Sequence, residues 1–156
     1  IPANYNPMKM LFYSLLAFIG GVFLAMQAGY NTQLGHHLHH PVLAVISTSF
    51  FSVLFGISFY LIFKQELPND QLIGQIPLHL WFTGAIFSFA GITLYFYTIP
   101  KLGISRMIAL GLSGQLVFSL IAGSKGWLDL PVEQLSGTRL MGAIAMILGI
   151  ILINAK

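Results

Sequence analysis

Residues 10–29 read MLFYSLLAFIGGVFLAMQAG, a run of twenty residues without a charged side chain. A helix needs about 20 predominantly apolar residues to cross the hydrocarbon core of a bilayer. The charge-free region extends further, because no Lys, Arg, Asp or Glu occurs between Lys9 and Lys64. This stretch therefore predicts a membrane-spanning helix and sets the class of fold.

Four further stretches of this kind follow, separated by short segments that carry Pro or charged residues. We predict five spans in all, at residues 10–29, 42–63, 78–99, 104–122 and 138–154. None shows the alternating pattern of about ten residues per strand that a barrel wall requires. The fold class is therefore an all-α integral membrane protein, a five-transmembrane-helix bundle at residues 10–156. Residues 1–9 form an N-terminal tail, which we expect to be a processed start because it does not begin with Met.

The composition supports this class of fold. Of 156 residues, 56% are hydrophobic and 7% are charged, whereas soluble domains carry about 25% charged residues. We therefore expect a multi-pass protein of the plasma (inner) membrane, with the lipid bilayer as its main partner and no separate soluble domain. A net charge of +3 without a basic run gives no basis for nucleic-acid binding. The absence of Cys excludes disulfides and thiolate chemistry.

The positive charges are almost evenly divided between the two predicted membrane sides. Four fall on the side of the N-terminus and three on the opposite side, respectively Lys9, Lys64, Lys125, Arg139 and Lys101, Arg106, Lys156. The positive-inside rule counts only Lys and Arg, so this balance hardly selects an orientation. Two alternatives stay open: other factors fix one orientation, or the chain inserts both ways and pairs with an inverted copy.

Uncharged polar residues are the main candidates for chemistry within the spans. Gln27 and Asn31 are four residues apart and share a helix face, and Gln115 lies in the fourth span. A primary amide in hydrocarbon needs a partner, which is either another helix or a solute. With Tyr95 and Ser119, these amides could line a pathway for a small polar or cationic solute. No span holds Asp or Glu, which argues against a carboxylate-driven antiporter.

Two other sets of residues have simpler structural interpretations. Small residues spaced four apart allow close helix packing, and the candidates are Gly21, Ala25, Gly29, Ala145 and Gly149. Arg106 lies one turn into the fourth span, where it either reaches the interface by snorkelling or faces the pathway.

Four imidazoles are concentrated between the first two spans, at His36, His37, His39 and His40. Their spacing matches the His-x-x-His-His box of membrane di-iron desaturases and hydroxylases. Those enzymes need several such boxes, however, and the only other histidine is His79. We therefore expect no enzyme and no cofactor, and at most adventitious metal binding by a solvated, pH-sensitive loop.

Several segments resemble one known family. Residues 20–35, GGVFLAMQAGYNTQLG, followed by Pro41, resemble the first-helix signature of the YdcZ-like five-helix branch of the drug/metabolite transporter (DMT) superfamily. Residues 109–120 resemble its fourth helix, and Gly126, Leu130-Pro131 and residues 142–153 resemble its last loop and fifth helix. The chain departs from the family at Gly123-Ser124, where an Asp-His pair is common, and at Arg106.

The resemblance implies a half-transporter that pairs with an inverted copy, because larger members of the superfamily are similar to two such halves fused in opposite orientations. It implies alternating access by an antiparallel homodimer with dual topology, and it carries Gln27, Asn31 and Gln115 over as pathway residues. The competing interpretation is a membrane binding or assembly subunit that transports nothing.

Overall fold

The computed structural model describes residues 7–64, 66–129 and 131–155, and every regular element among them is helical. Five long helices occur, together with the short helix α3 (Asp70–Gly74) and a 3₁₀ turn at Trp127–Asp129. The long helices are α1 (Pro7–His37), α2 (Pro41–Ile62), α4 (Leu78–Leu102), α5 (Ile104–Lys125) and α6 (Gly137–Asn154).

Four of the described helices, α1, α2, α4 and α5, are long and apolar enough to cross a membrane, and α6 is apolar but shorter. At 1.5 Å per residue, the 18 residues of α6 are about 27 Å long, close to the roughly 30 Å of the hydrocarbon core. Large apolar side chains face outward along these helices, among them Phe18, Phe55 and Phe87, which are 71%, 72% and 72% exposed. Such a surface suits lipid and would aggregate in water.

The chain forms two compact units, Ile1–Pro100 and Lys101–Lys156. In the first unit, a small core consists of Ala44, Val45 and Phe96, with Leu34, Ile92 and Tyr95 packed against it. Helices α1, α2 and α4 therefore contact one another at the end of the unit where α1 stops and α2 begins.

The turn between α1 and α2 explains why α1 extends to His37, beyond the span predicted at residues 10–29. The amide of His40 donates to the carbonyl of Gly35 at 3.0 Å, and that of His39 donates to His36 at 3.1 Å. His39 has a φ of 53°, so the pattern is a Schellman motif with a left-handed residue after the last helical turn. Pro41 then starts α2, where its missing amide proton is not needed.

In the second unit, the loop after α5 is fixed to the helix that it leaves. Gly126 ends α5 with a φ of 64°, and the amide of Glu133 donates to the carbonyl of Gly123 at 2.9 Å. Glu133 also forms an exposed ion pair of 2.8 Å with Arg139, and the Ser136 hydroxyl caps α6 by accepting from the Arg139 amide. These contacts set where α6 begins.

The two left-handed caps predict opposite effects of substitution. A side chain in this conformation costs about 1 kcal/mol, so His39→Gly should raise the Tm by a few degrees and Gly126→Ala should lower it by a similar amount. Gly114→Ala is the matched control, because a Cβ there meets no atom within 4 Å and Ala favours the helix. Thermal unfolding in detergent measures the Tm of all three variants. Equal Tm values for His39→Gly and wild type would show that the left-handed backbone of His39 is not strained.

Candidate functional site

The polar pair of α1 lies at the edge of the packed end of the first unit. Gln27 and Asn31 are both half-buried, and Ala28 between them is buried. At 100° per residue, both amides project to one side of Gly35, which faces Pro41 and Ala44 of α2. Neither amide hydrogen-bonds to another residue that the structure describes. Two amides at this depth are therefore available to a group outside the first unit's own core.

The α1–α2 contact beside this pair is made by small residues. A Cβ placed on Gly35 would lie 3.4 Å from the Pro41 Cα and 3.5 Å from the Ala44 Cβ. Ala44 is fully buried. The close approach is therefore at Gly35, whereas a Cβ on Gly21 meets no atom within 4 Å.

Tyr95 joins the same end of the first unit from α4. Its half-buried side chain packs against the core of Ala44, Val45 and Phe96, as does Leu34, which follows Asn31 by less than one turn. Asn31 and Tyr95 therefore lie close to the same small core. Gln27 lies one turn before Asn31 on α1.

The remaining predicted residues belong to α5 in the second unit. Gln115 and Ser119 are exposed one turn apart, and the Ser119 hydroxyl donates to the carbonyl of Leu116 at 2.9 Å. Arg106 is half-buried in the first turn of α5, nine residues before Gln115 and so on the opposite side of the helix. A cation in the first turn is repelled by the positive end of the helix dipole. Another interaction must therefore stabilise the charged form of Arg106.

None of the five residues predicted as packing positions is fully buried. Gly21 and Ala145 are exposed, while Ala25, Gly29 and Gly149 are half-buried. A Cβ on Gly21 or Gly149 would meet no atom within 4 Å. Both glycines thus leave room for a neighbour outside their own unit.

Two polar groups of the first unit were not singled out from the sequence. The hydroxyls of Tyr60 and Thr93 are buried and have no hydrogen-bond partner among the described residues. Sequence carries no signal for them, because a helical Thr ordinarily bonds to its own backbone. Only the packed structure distinguishes the exceptions.

The four clustered histidines surround the turn between α1 and α2. His36 and His37 belong to the last turn of α1, His39 and His40 form the turn itself, and all four are exposed. Within the described part of the chain, no group of three or more His, Cys, Asp or Glu side chains is placed to hold a metal ion.

Apolar helices of spanning length and outward-facing apolar side chains define a multi-pass α-helical membrane protein. The model of the YdcZ family, whose members are described as proposed inner membrane exporters, matches residues 12–152, nearly the whole chain. The chain thus belongs to the YdcZ family, as the first-helix signature predicted.

Family membership confirms a multi-pass inner membrane location and supports a transport function in general. The family is described as one of proposed exporters, not as a class of enzymes. No curated protein and no solved structure matches the chain.

Proposed function

We propose that this protein transports a small polar or cationic metabolite or drug across the inner membrane by alternating access between two inverted copies. The α1 amides and Tyr95 of each copy contact the solute. Gln115 of α5 is a further amide that we assign to the pathway. Lipid covers the exposed aromatic faces of the helices.

The observation that carries this proposal is the environment of Gln27 and Asn31. Both amides are half-buried, yet neither bonds to another described residue. An amide that only joined the helices of one copy would have its partner within that copy. An unpaired amide in hydrocarbon is unfavourable by several kcal/mol, so a solute or water in a pathway is the partner that fits.

The inverted pairing rests on three separate features. Four helices have spanning length, and we take the shorter α6 as a fifth crossing. An odd number of crossings puts the ends of α1 and α6 on opposite sides of the membrane, so an inverted copy supplies the second half of a transporter. The Lys and Arg residues are divided four to three between the sides. Open space around Gly21 and Gly149 leaves two small-residue surfaces available to a partner helix.

Solute flux in proteoliposomes tests the proposal. Purified protein is reconstituted, and radiolabelled amines, amino alcohols and amides are screened for counterflow against empty liposomes. We expect saturable counterflow of at least one compound. A protein that assembles stably but moves none of these solutes would favour the assembly-subunit alternative.

A further inference from the structure

Thr93 differs from the other threonines of the long helices. Its hydroxyl is buried and has no hydrogen-bond partner among the described residues. By contrast, four other threonines donate to the carbonyl one turn earlier in their own helix, namely Thr32, Thr48, Thr83 and Thr98. The Thr93 hydroxyl is therefore directed away from the backbone bond that a helical Thr ordinarily forms.

The position of Thr93 makes this arrangement unfavourable unless another group binds there. It lies 15 residues after Leu78 and nine before Leu102, the ends of α4. Those distances correspond to about 22 Å and about 13 Å along the helix, so Thr93 lies within α4 and not at either of its ends. A hydroxyl left unbonded there bears its full desolvation penalty.

The neighbours of Thr93 connect it with the candidate site. Ile92 and Tyr95 pack against the core of the first unit, and Phe96, one turn after Thr93, is part of that core. Asn31 precedes Leu34, which contacts the same core from α1. Thr93 and Tyr95 therefore flank the Ile92 and Phe96 face of α4 on opposite sides, at the same level along the helix as the core that Leu34 contacts.

Tyr60 provides a useful contrast. Its hydroxyl is also buried without a described partner, but the residue is two positions from the end of α2. A phenol at a helix end is commonly placed near the polar interface, so possible partners for the Tyr60 hydroxyl lie only a short distance away. That explanation does not apply to Thr93, which lies nine residues before the end of α4.

We propose that Thr93 is a specificity residue whose hydroxyl binds a hydrogen-bonding group of the transported solute. This inference rests on the proposed transport function. The Thr93 hydroxyl can donate to an oxygen of the solute or accept from its O–H or N–H. It offers nothing to a cation that has no such group.

Two predictions distinguish this role from a structural one. Thr93→Val removes the hydroxyl while keeping the shape of the side chain, so without solute the Tm should be unchanged or higher by about 2–4 °C. Thr93→Ser should behave as wild type in transport. The matched control is Thr98→Val, because Thr98 donates to the carbonyl of Leu94 at 2.7 Å and its hydroxyl has a backbone partner.

The experiment measures counterflow of choline and of ethyltrimethylammonium, which is choline without its hydroxyl, in proteoliposomes of each variant. We expect wild type and Thr93→Ser to favour choline, and Thr93→Val to raise the KM for choline about 3- to 10-fold, as loss of one hydrogen bond requires. The KM for ethyltrimethylammonium should not change.

Each other outcome has a defined meaning. A Tm of Thr93→Val several degrees below wild type would overturn the proposal, because the hydroxyl would then have a structural partner. Equal KM values for choline in wild type and Thr93→Val would overturn it while leaving transport intact. If wild type carries neither probe, the Thr93 assignment falls for this class of solute, and the wider counterflow screen decides the transport proposal separately.

Discussion

Replacing Gln27 by Leu should reduce solute counterflow about 10- to 100-fold while the protein still folds and inserts. Leu is close to Gln in size and more favourable in lipid, so the change removes the amide without opening a cavity. A pathway that has lost a hydrogen-bonding amide leaves a polar group of the solute unpaired, which costs about 1–3 kcal/mol. Each 1.4 kcal/mol corresponds to a factor of ten. Asn31→Leu should have an effect of the same order.

Gln33→Leu is the matched control for both variants. Gln33 is an amide of the same helix, but it is exposed and lies roughly opposite Asn31 around the helix axis. We expect its counterflow to equal that of wild type. The dimer fraction, measured by cross-linking in the same membranes, completes the comparison. Normal flux with a reduced dimer fraction in Gln27→Leu would assign the amide to helix association and contradict the pathway role.

Ala44→Leu should cause the largest loss of stability of any single apolar substitution in the first unit. Ala44 is fully buried in a cluster with Val45 and Phe96, so the larger Leu side chain must displace these neighbours. Overpacking of this kind costs about 1–3 kcal/mol. In a chain of this size, we expect a fall in Tm of about 3–10 °C.

Ala85→Leu is the control for Ala44→Leu, because Ala85 is exposed on α4 and a larger side chain there meets only lipid. Both variants add the same apolar side chain, so a difference between their Tm values in the same detergent reports the packing around Ala44. A similar Tm for both would contradict the close α1–α2 contact at Gly35.

The existence of the long helices could be predicted because each follows from a charge-poor apolar run, and lipid favours any such run as a helix. The end of α1 could not be predicted in the same way. A span ends where the sequence becomes polar, after Gly29, but the helix ends where its carbonyls find the amides of His39 and His40. Short α3 has no apolar run to mark it.

The candidate site was accessible to sequence analysis only in part. Gln27 and Asn31 were identifiable because an amide in an apolar run is conspicuous and the spacing of four fixes their shared face. Thr93 was not, since the sequence cannot show which rotamer a helical Thr adopts. The place of the close approach, Gly35 rather than Gly21, depends on where the α1–α2 turn closes.

The orientation of the chain in the membrane tests the inverted pairing most directly. The protein has no Cys, so single-cysteine variants can be labelled without background. His37 and Leu67 are exposed and lie before and after α2, on opposite sides of the membrane. We label His37→Cys and Leu67→Cys in intact cells with a membrane-impermeant maleimide, and use permeabilised cells as the reference for full labelling.

For a chain that inserts both ways, each variant should reach about half of the full labelling, as the balanced Lys and Arg residues predict. Complete labelling of one variant and none of the other would show a single orientation. That result would contradict the antiparallel homodimer.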